Sequence, residues 1–175
     1  QNNAIFLATS ESPTKSSDWF VNPRLVSDLK VTPGKTDPVA VAIGDEDGHI
    51  LYQDTRNDTT GVDRLGLWYA HGLPDQSSWS FRKAVGDHAF MPSLSISEID
   101  GEEVMVAAWG EGSGQTTELI VTIVDSSFSE ISEVRTAARG LGYIGLLDTD
   151  RGVQIFFDFV GPSGPQIQYG MANSE

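Results

Sequence analysis

A short segment built around one aromatic residue recurs three times, and this recurrence limits what the chain can fold into more than any other feature. Ser77-Ser78-Trp79-Ser80-Phe81-Arg82-Lys83-Ala84-Val85 aligns without a gap on Ser126-Ser127-Phe128-Ser129-Glu130-Ile131-Ser132-Glu133-Val134. Ser16-Ser17-Asp18-Trp19 through Val26 aligns on both with small insertions. The anchors Trp19, Trp79 and Phe128 stand 60 and 49 residues apart. A period of that size marks a supersecondary unit that buries its apolar surface by stacking on its neighbours.

A second landmark recurs in phase with the first. Asp45-Glu46-Asp47-Gly48, Glu98-Ile99-Asp100-Gly101 and Asp148-Thr149-Asp150-Arg151-Gly152 are acidic turns that end on glycine. Apolar runs precede them at Val39–Ile43, Leu94–Ile96 and Tyr143–Leu147, and follow them at Ile50–Tyr52, Val104–Trp109 and Val153–Phe157. Two β-rich runs joined by a short Asp/Gly turn read as a hairpin. Leu65–Ala70, Glu118–Val124 and Gln166–Ala172 supply a third strand, as does Ala4–Ser10, and the aromatic-anchored segments supply a fourth. No stretch has helical periodicity, and Arg135–Gly140 has room for one turn at most. Eighteen glycines and eight prolines suit so many turns.

Four short strands per repeat, repeated about three times, predict an all-β chain of β-propeller-like architecture. The units run as a partial blade 1–34, blades 35–87 and 88–136, and an incomplete blade 137–175. The last unit lacks a fourth strand, which the Trp19 segment is placed to fill. Three blades are too few to close a ring, since propellers have about four or more. The pattern therefore predicts a homo-oligomer, a dimer forming a six-bladed ring, or a part of a longer chain. A sandwich of curved sheets is the alternative.

Net charge narrows the partners. Twenty-five Asp and Glu against 11 Lys and Arg give a formal charge of -14. Phosphate backbones and anionic membranes need a basic surface, so neither nucleic acid nor membrane is expected as a partner. No apolar run approaches the roughly 20 residues of a membrane-spanning helix. The chain has no cysteine, which rules out disulfides, zinc thiolates and thiol catalysis within it. It begins at Gln1 without Met and carries the sequon Asn57-Asp58-Thr59. Both features suit a secreted or extracellular protein from which a leader has been removed.

The second-strand runs resemble the repeats of the fungal fucose-specific lectins. His49-Ile50-Leu51-Tyr52-Gln53-Asp54 lies over their Arg-Val-Tyr-Tyr-Gln-Asp stretch, as does Gln154-Ile155-Phe156-Phe157-Asp158, and Gln166-Ile167-Gln168-Tyr169 lies near the next part. The resemblance covers residues 16 to 173 and implies a six-bladed propeller that binds glycans between blades. It also implies a sugar pocket made by an Arg, a Glu and a Trp. Here the Arg position holds His49, Met105 and Gln154, and the Glu position holds Trp68 or Tyr169. The scaffold and some aromatics are what carries over. Met91-Pro92-Ser93-Leu94 followed by Val106-Ala107-Ala108-Trp109 also resembles the inner strands of sialidase-type propellers, but the Asp-box of that family is not met before Trp79.

Candidate ligand-binding residues follow from chemistry. Sugars present flat C–H faces to aromatic rings and hydroxyls to polar side chains. That selects Trp68, Tyr69 and Trp109 as rings and His49, Gln53 and Asp54 as polar partners. Trp68 and Tyr69 are adjacent in a strand, so they face opposite sides and one of them is exposed. Trp19 and Trp79 recur with the repeat and suit wedges between sheets. Asp45 and Asp47 echo the start of a calcium loop, without its later Glu ligand; an ordinary solvated hairpin turn uses the same residues. His49 and His71 flank consecutive strands and, with Asp54 or Asp87, have the composition of a metal site; scattered surface histidines are the leading reading, and no metal or other cofactor is expected.

The sequence assembles no catalytic signature. It holds neither a Gly-x-Ser-x-Gly elbow nor a phosphate-binding glycine loop. With 25 acidic residues, no spacing selects a catalytic carboxylate pair. The leading expectation is a lectin-like propeller that binds glycan and does no chemistry. The alternatives are a glycoside hydrolase or lyase of propeller fold, and a structural subunit that assembles through blade edges.

Overall fold

The computed structural model describes residues 6–7, 24–25, 36–43, 47–54, 66–73, 79–86, 88–99, 101–113, 116–161 and 164–172. The Trp19 anchor, Asp45, Asn57 and Asp87 lie outside the described residues. The chain is all-β. Strands β1 (Phe6–Leu7) and β2 (Arg24–Leu25) form a two-stranded pair, sheet I. Sheet II runs in the order β3 (Thr36–Ile43), β4 (Gly48–Asp54), β5 (Gly66–Gly72), β6 (Ser80–Val85). Sheet III follows as β7 (Ala89–Ile99), β8 (Glu102–Ser113), β9 (Thr116–Val124), β10 (Glu130–Ala137). Sheet IV has three strands, β11 (Ile144–Leu147), β12 (Val153–Gly161) and β13 (Gly164–Ala172).

Within sheets II, III and IV every strand pairs antiparallel with the next in sequence. The cause is local. Each acidic, Gly-ended turn closes a hairpin, and Gly101 sits at φ +82° in the β7–β8 turn, a conformation that L side chains rarely adopt. No helix occurs among the described residues; Arg135–Ala137 belongs to β10, and Arg139-Gly140 is a turn. Trp79 and Phe128 stand just ahead of β6 and β10 rather than inside them.

The sheets stack face to face. One face of sheet II, carrying Leu51, Leu67 and Tyr69, packs on Leu94, Met105, Ala107, Trp109, Ile120 and Val124 of sheet III. The other face of sheet III, with Ala108 and Leu119, packs on Ile155 of sheet IV, with Ala138 and Leu141 between them. Sheet III is thus buried on both faces, which explains why Val104–Trp109 reads as a continuous apolar run and not as an alternation. Each fully buried aliphatic side chain there contributes about 1.5–3 kcal/mol. Gly110 is required by this packing, because a Cβ there would lie 2.5 Å from the Phe90 ring and 2.9 Å from Leu141.

Contact between consecutive sheets runs mainly through their first strands, β3 against β7 and β7 against β11. Ser93 Oγ on β7 also accepts a hydrogen bond of 3.0 Å from the Leu146 amide on β11. The sheets therefore converge along one side of the stack. Sheets II, III and IV stack in a row, and no closed ring of sheets occurs among the described residues.

Candidate functional site

Register decides which side chains meet. Across β4 and β5, His49 stands opposite His71 and Leu51 opposite Tyr69. Across β5 and β6, Tyr69 stands opposite Arg82. These residues share the sheet II face that looks onto sheet III. At the near end of sheet III is the β9–β10 turn. Asp125 heads it, with Oδ1 accepting from the Ser127 amide (2.9 Å), the Ser127 hydroxyl (2.7 Å) and the Ser129 amide (2.8 Å). The Ser127 hydroxyl, then the Ser129 amide, hold the Asp125 carboxyl below its ordinary range. The turn puts Phe128 at φ +58°, strained for a bulky residue, and drives its ring against Tyr69, with centroids 4.8 Å apart.

A polar chain crosses the two sheets at this point. His71 Nε2 meets Asp47 Oδ2 at 2.8 Å. The His71 and His49 rings stack with centroids 5.0 Å apart. His49 Nδ1 lies 2.7 Å from the Tyr69 hydroxyl, which donates to the Ser126 carbonyl at 2.8 Å. Arg82 donates to the Phe128 carbonyl. A phenol has one proton and a carbonyl has none, so proton counting assigns His49 the tautomer with hydrogen on Nδ1. His49 is 2% exposed. Burial first, then the His71 charge, lowers its pKa to about 4, against an opposing pull from Asp47. Burial likewise pushes the Tyr69 phenol up. Both groups are neutral near pH 7, and the chain works as a lock between sheets.

Asp54 does not join the histidines. It lies five residues along β4 from His49, about 17 Å in an extended strand and on the opposite face; the carboxylate beside His71 is that of Asp47. No group of three metal-ligating side chains occurs among the described residues. Tyr69 and Asp54 are buried, whereas Trp68 and Gln53 are half-exposed. Trp68 packs with Ile50, Tyr52, Ala70, Trp79 and Phe81 on the far face of sheet II. Of the six candidate ligand residues, His49 and Tyr69 lie within hydrogen-bonding distance of each other, and Trp109, in the same core cluster as Tyr69, lines a groove.

That groove is a cavity of about 200 Å³ between β6 of sheet II and the face of sheet III. Ala84 and Val85 form one wall; Trp109, Thr122, Val124 and Phe128 form the other; Glu111, Glu130, Glu133 and Arg135 surround them. Register again sets the group. Trp109 pairs with Ile120 and Ile120 with Arg135, so the indole and the guanidinium lie in one row. Arg135 Nε donates to Glu133 at 2.5 Å, and its Nη1 lies 3.2 Å from Glu111 and 3.6 Å from Glu118. Its hydrogen bond with Glu133 raises its pKa further, so it stays charged. Trp109 is 5% exposed, and its indole N–H has no hydrogen-bond acceptor among the described residues.

Arg135, Glu111 and Glu133 carried no motif in the sequence. Counting strand register outward from the Asp125 turn would have put Val134 opposite Ile120; the irregularity between Glu130 and Ser132 shifts the pairing by one residue and brings Arg135 into the row of Trp109. Comparison with family models, with curated proteins and with solved structures finds no match to this chain.

Proposed function

We propose that this chain is a carbohydrate-binding module of β-propeller architecture, and that the groove between sheets II and III is its sugar site. The propeller reading is supported by four-stranded meanders that stack face to face and converge on their first strands. Such stacking leaves a wedge between the later strands, and the groove occupies it. The single observation that carries the functional reading is the groove itself, lined by Trp109 and Phe128 between stacked sheets and surrounded by Glu111, Glu130, Glu133 and Arg135. The carboxylates and guanidinium supply acceptors and donors for hydroxyls. At about 200 Å³ the groove is below the roughly 300–1,000 Å³ of drug-sized sites, which favours a single sugar ring.

The Arg of this site stands on the last strand of its sheet, not at the second-strand position that the lectin resemblance uses. Its Trp comes from the second strand. The likeness is one of chemistry between stacked sheets. The test is a calorimetric titration across neutral, amino and acidic oligosaccharides. Binding by the wild type and its loss by at least about tenfold in Trp109→Phe is the expected result. No heat with any sugar at millimolar concentration would end the reading.

A second reading, assembly, has its own observation. Sheets II and III each have their forward face covered by the next sheet, yet the corresponding face of sheet IV is open. Ile167 is 81%, Val160 54% and Leu147 53% exposed there. The occupant that fits is a second copy of this chain, because sheet-on-sheet packing is how its own repeats associate. Light scattering should then give twice 18.9 kDa, and Ile167→Glu should return the protein to monomer. A monomeric wild type at high concentration would contradict it.

A further inference from the structure

We infer that the bridge from His49 through Tyr69 to the Ser126 carbonyl is an acid-released latch on the groove. It holds the β9–β10 turn, and with it the Phe128 side of the groove, against sheet II. A second proton on His49 frees the turn while the sheets stay stacked. The latch acts on the wall of the groove and does so whatever the groove binds.

Phe128 belongs to both the latch and the groove. Its ring lines the cavity and also packs on the Tyr69 ring, with centroids 4.8 Å apart. Its carbonyl accepts from Arg82. Together with the 2.8 Å hydrogen bond from Tyr69 to Ser126, these contacts tie the turn to sheet II. The turn keeps its own shape without them. Asp125 Oδ1 accepts from the Ser127 amide and hydroxyl and from the Ser129 amide. The Phe128 amide donates to the Asp125 carbonyl at 2.8 Å, and the Asp125 amide to the Ser129 carbonyl at 3.0 Å. Of residues 126 to 130 only Phe128 is buried, and β10 beyond them is exposed along nearly its whole length. A segment with so little buried apolar surface opens ahead of the core.

The surroundings of His49 make the latch sensitive to acid. Its one proton sits on Nδ1, toward Tyr69, so a second must go to Nε2 of a ring that is 2% exposed. His71 on β5 is stacked on that ring, and a charge on both would set like charges face to face. Asp47 meets His71 and pulls the other way. Ala42 of β3 stands opposite His49 and carries no charge. Arg82 of β6 and Asp125 of the turn act on the Tyr69 phenol. On sheet III, Glu98 and Glu103 pair across β7 and β8. By alternation they share the face of Ile96 and Met105, and both are exposed. Burial and the His71 charge outweigh the Asp47 carboxylate and hold the His49 pKa at about 4. Release of the turn lets it return toward its ordinary value.

The chain has no cysteine, so a single introduced thiol reports opening at its own position. Val124→Cys puts it in the groove wall beside the turn, and Val106→Cys puts it deep in β8. Each thiol is labelled with a pyridyl disulfide, which reacts in acid, at pH 7 and pH 5 over a range of low urea concentrations. The urea-unfolded protein at each pH is the reference. The Val124→Cys thiol should be less protected than the Val106→Cys thiol by at least about tenfold, with little dependence on urea. Its protection should fall by up to about twentyfold from pH 7 to pH 5, the factor set by a His49 pKa of about 4 closed and 6.5 open. The Val106→Cys thiol should lose protection steeply with urea, because only global unfolding exposes it. Adding His49→Gln to Val124→Cys should remove most of the acid step. Equal protection and equal urea dependence at the two positions would overturn the inference, since the turn would then leave only with the whole fold. An acid step that survives His49→Gln, or no acid step in Val124→Cys, would overturn it as well. Thr122→Cys, in the same wall, replaces Val124→Cys if that variant does not fold.

Discussion

Lowering the pH from 7 to 4 is expected to cost the fold about 3 kcal/mol through His49 alone. The unfolded chain holds this imidazole near its ordinary pKa of 6.5, and the fold depresses it to about 4. Between those values the unfolded state binds the proton and the folded state does not. The stability from a neutral His49 is complete above pH 6.5 and is lost as pH falls toward 4. Protonation would also put a charge beside His71 in a ring stack. Urea unfolding of wild type and His49→Gln over this range checks it. Carboxylates titrate in both proteins, so the quantity to read is the difference between the two curves. That difference should change by about 3 kcal/mol across the window, and a constant difference would contradict the account.

Truncating Tyr69 should have the largest effect of any change between sheets II and III. Its ring is buried against Phe128 and His49, and its hydroxyl bridges His49 to the Ser126 carbonyl. Tyr69→Ala should cost about 3–5 kcal/mol, the range for removing a buried aromatic side chain. Tyr69→Phe keeps the ring but orphans an imidazole N–H and a carbonyl, at about 1–3 kcal/mol. The whole fold is stable by only about 5–15 kcal/mol, so the alanine variant should unfold measurably at ordinary temperature. A Phe variant as stable as wild type would mean that the hydroxyl bridge contributes nothing.

The strands were legible in the sequence because their causes are local. Asp47-Gly48 and Asp100-Gly101 mark turns, and the runs beside them are short and β-branched. The order of strands within sheets followed from those hairpins. Face-to-face stacking was only half legible: Val104–Trp109 is apolar at nearly every position, which signals two buried faces without naming what covers them. Trp109 was legible as an aromatic candidate, but its neighbours were not. Glu111, Glu133 and Arg135 come from two strands and have no common spacing; they meet because the register of β8, β9 and β10 brings them to one face. A polar residue and an aromatic one, His49 and Tyr69 have the sequence character of ligand residues. Their shared role as a buried lock depends on the Ser126 carbonyl, a backbone group from another sheet that no side-chain pattern announces.

The measurement that bears most directly on the central claim is the nitrogen–proton correlation spectrum of the tryptophan indoles during a sugar titration. The chain has four tryptophans, and the signal missing from Trp109→Phe assigns the one in the groove. The account predicts that a binding oligosaccharide moves the Trp109 indole signal, saturably, while the Trp79 signal stays in place. Sugar binding that leaves the Trp109 signal unmoved would contradict it.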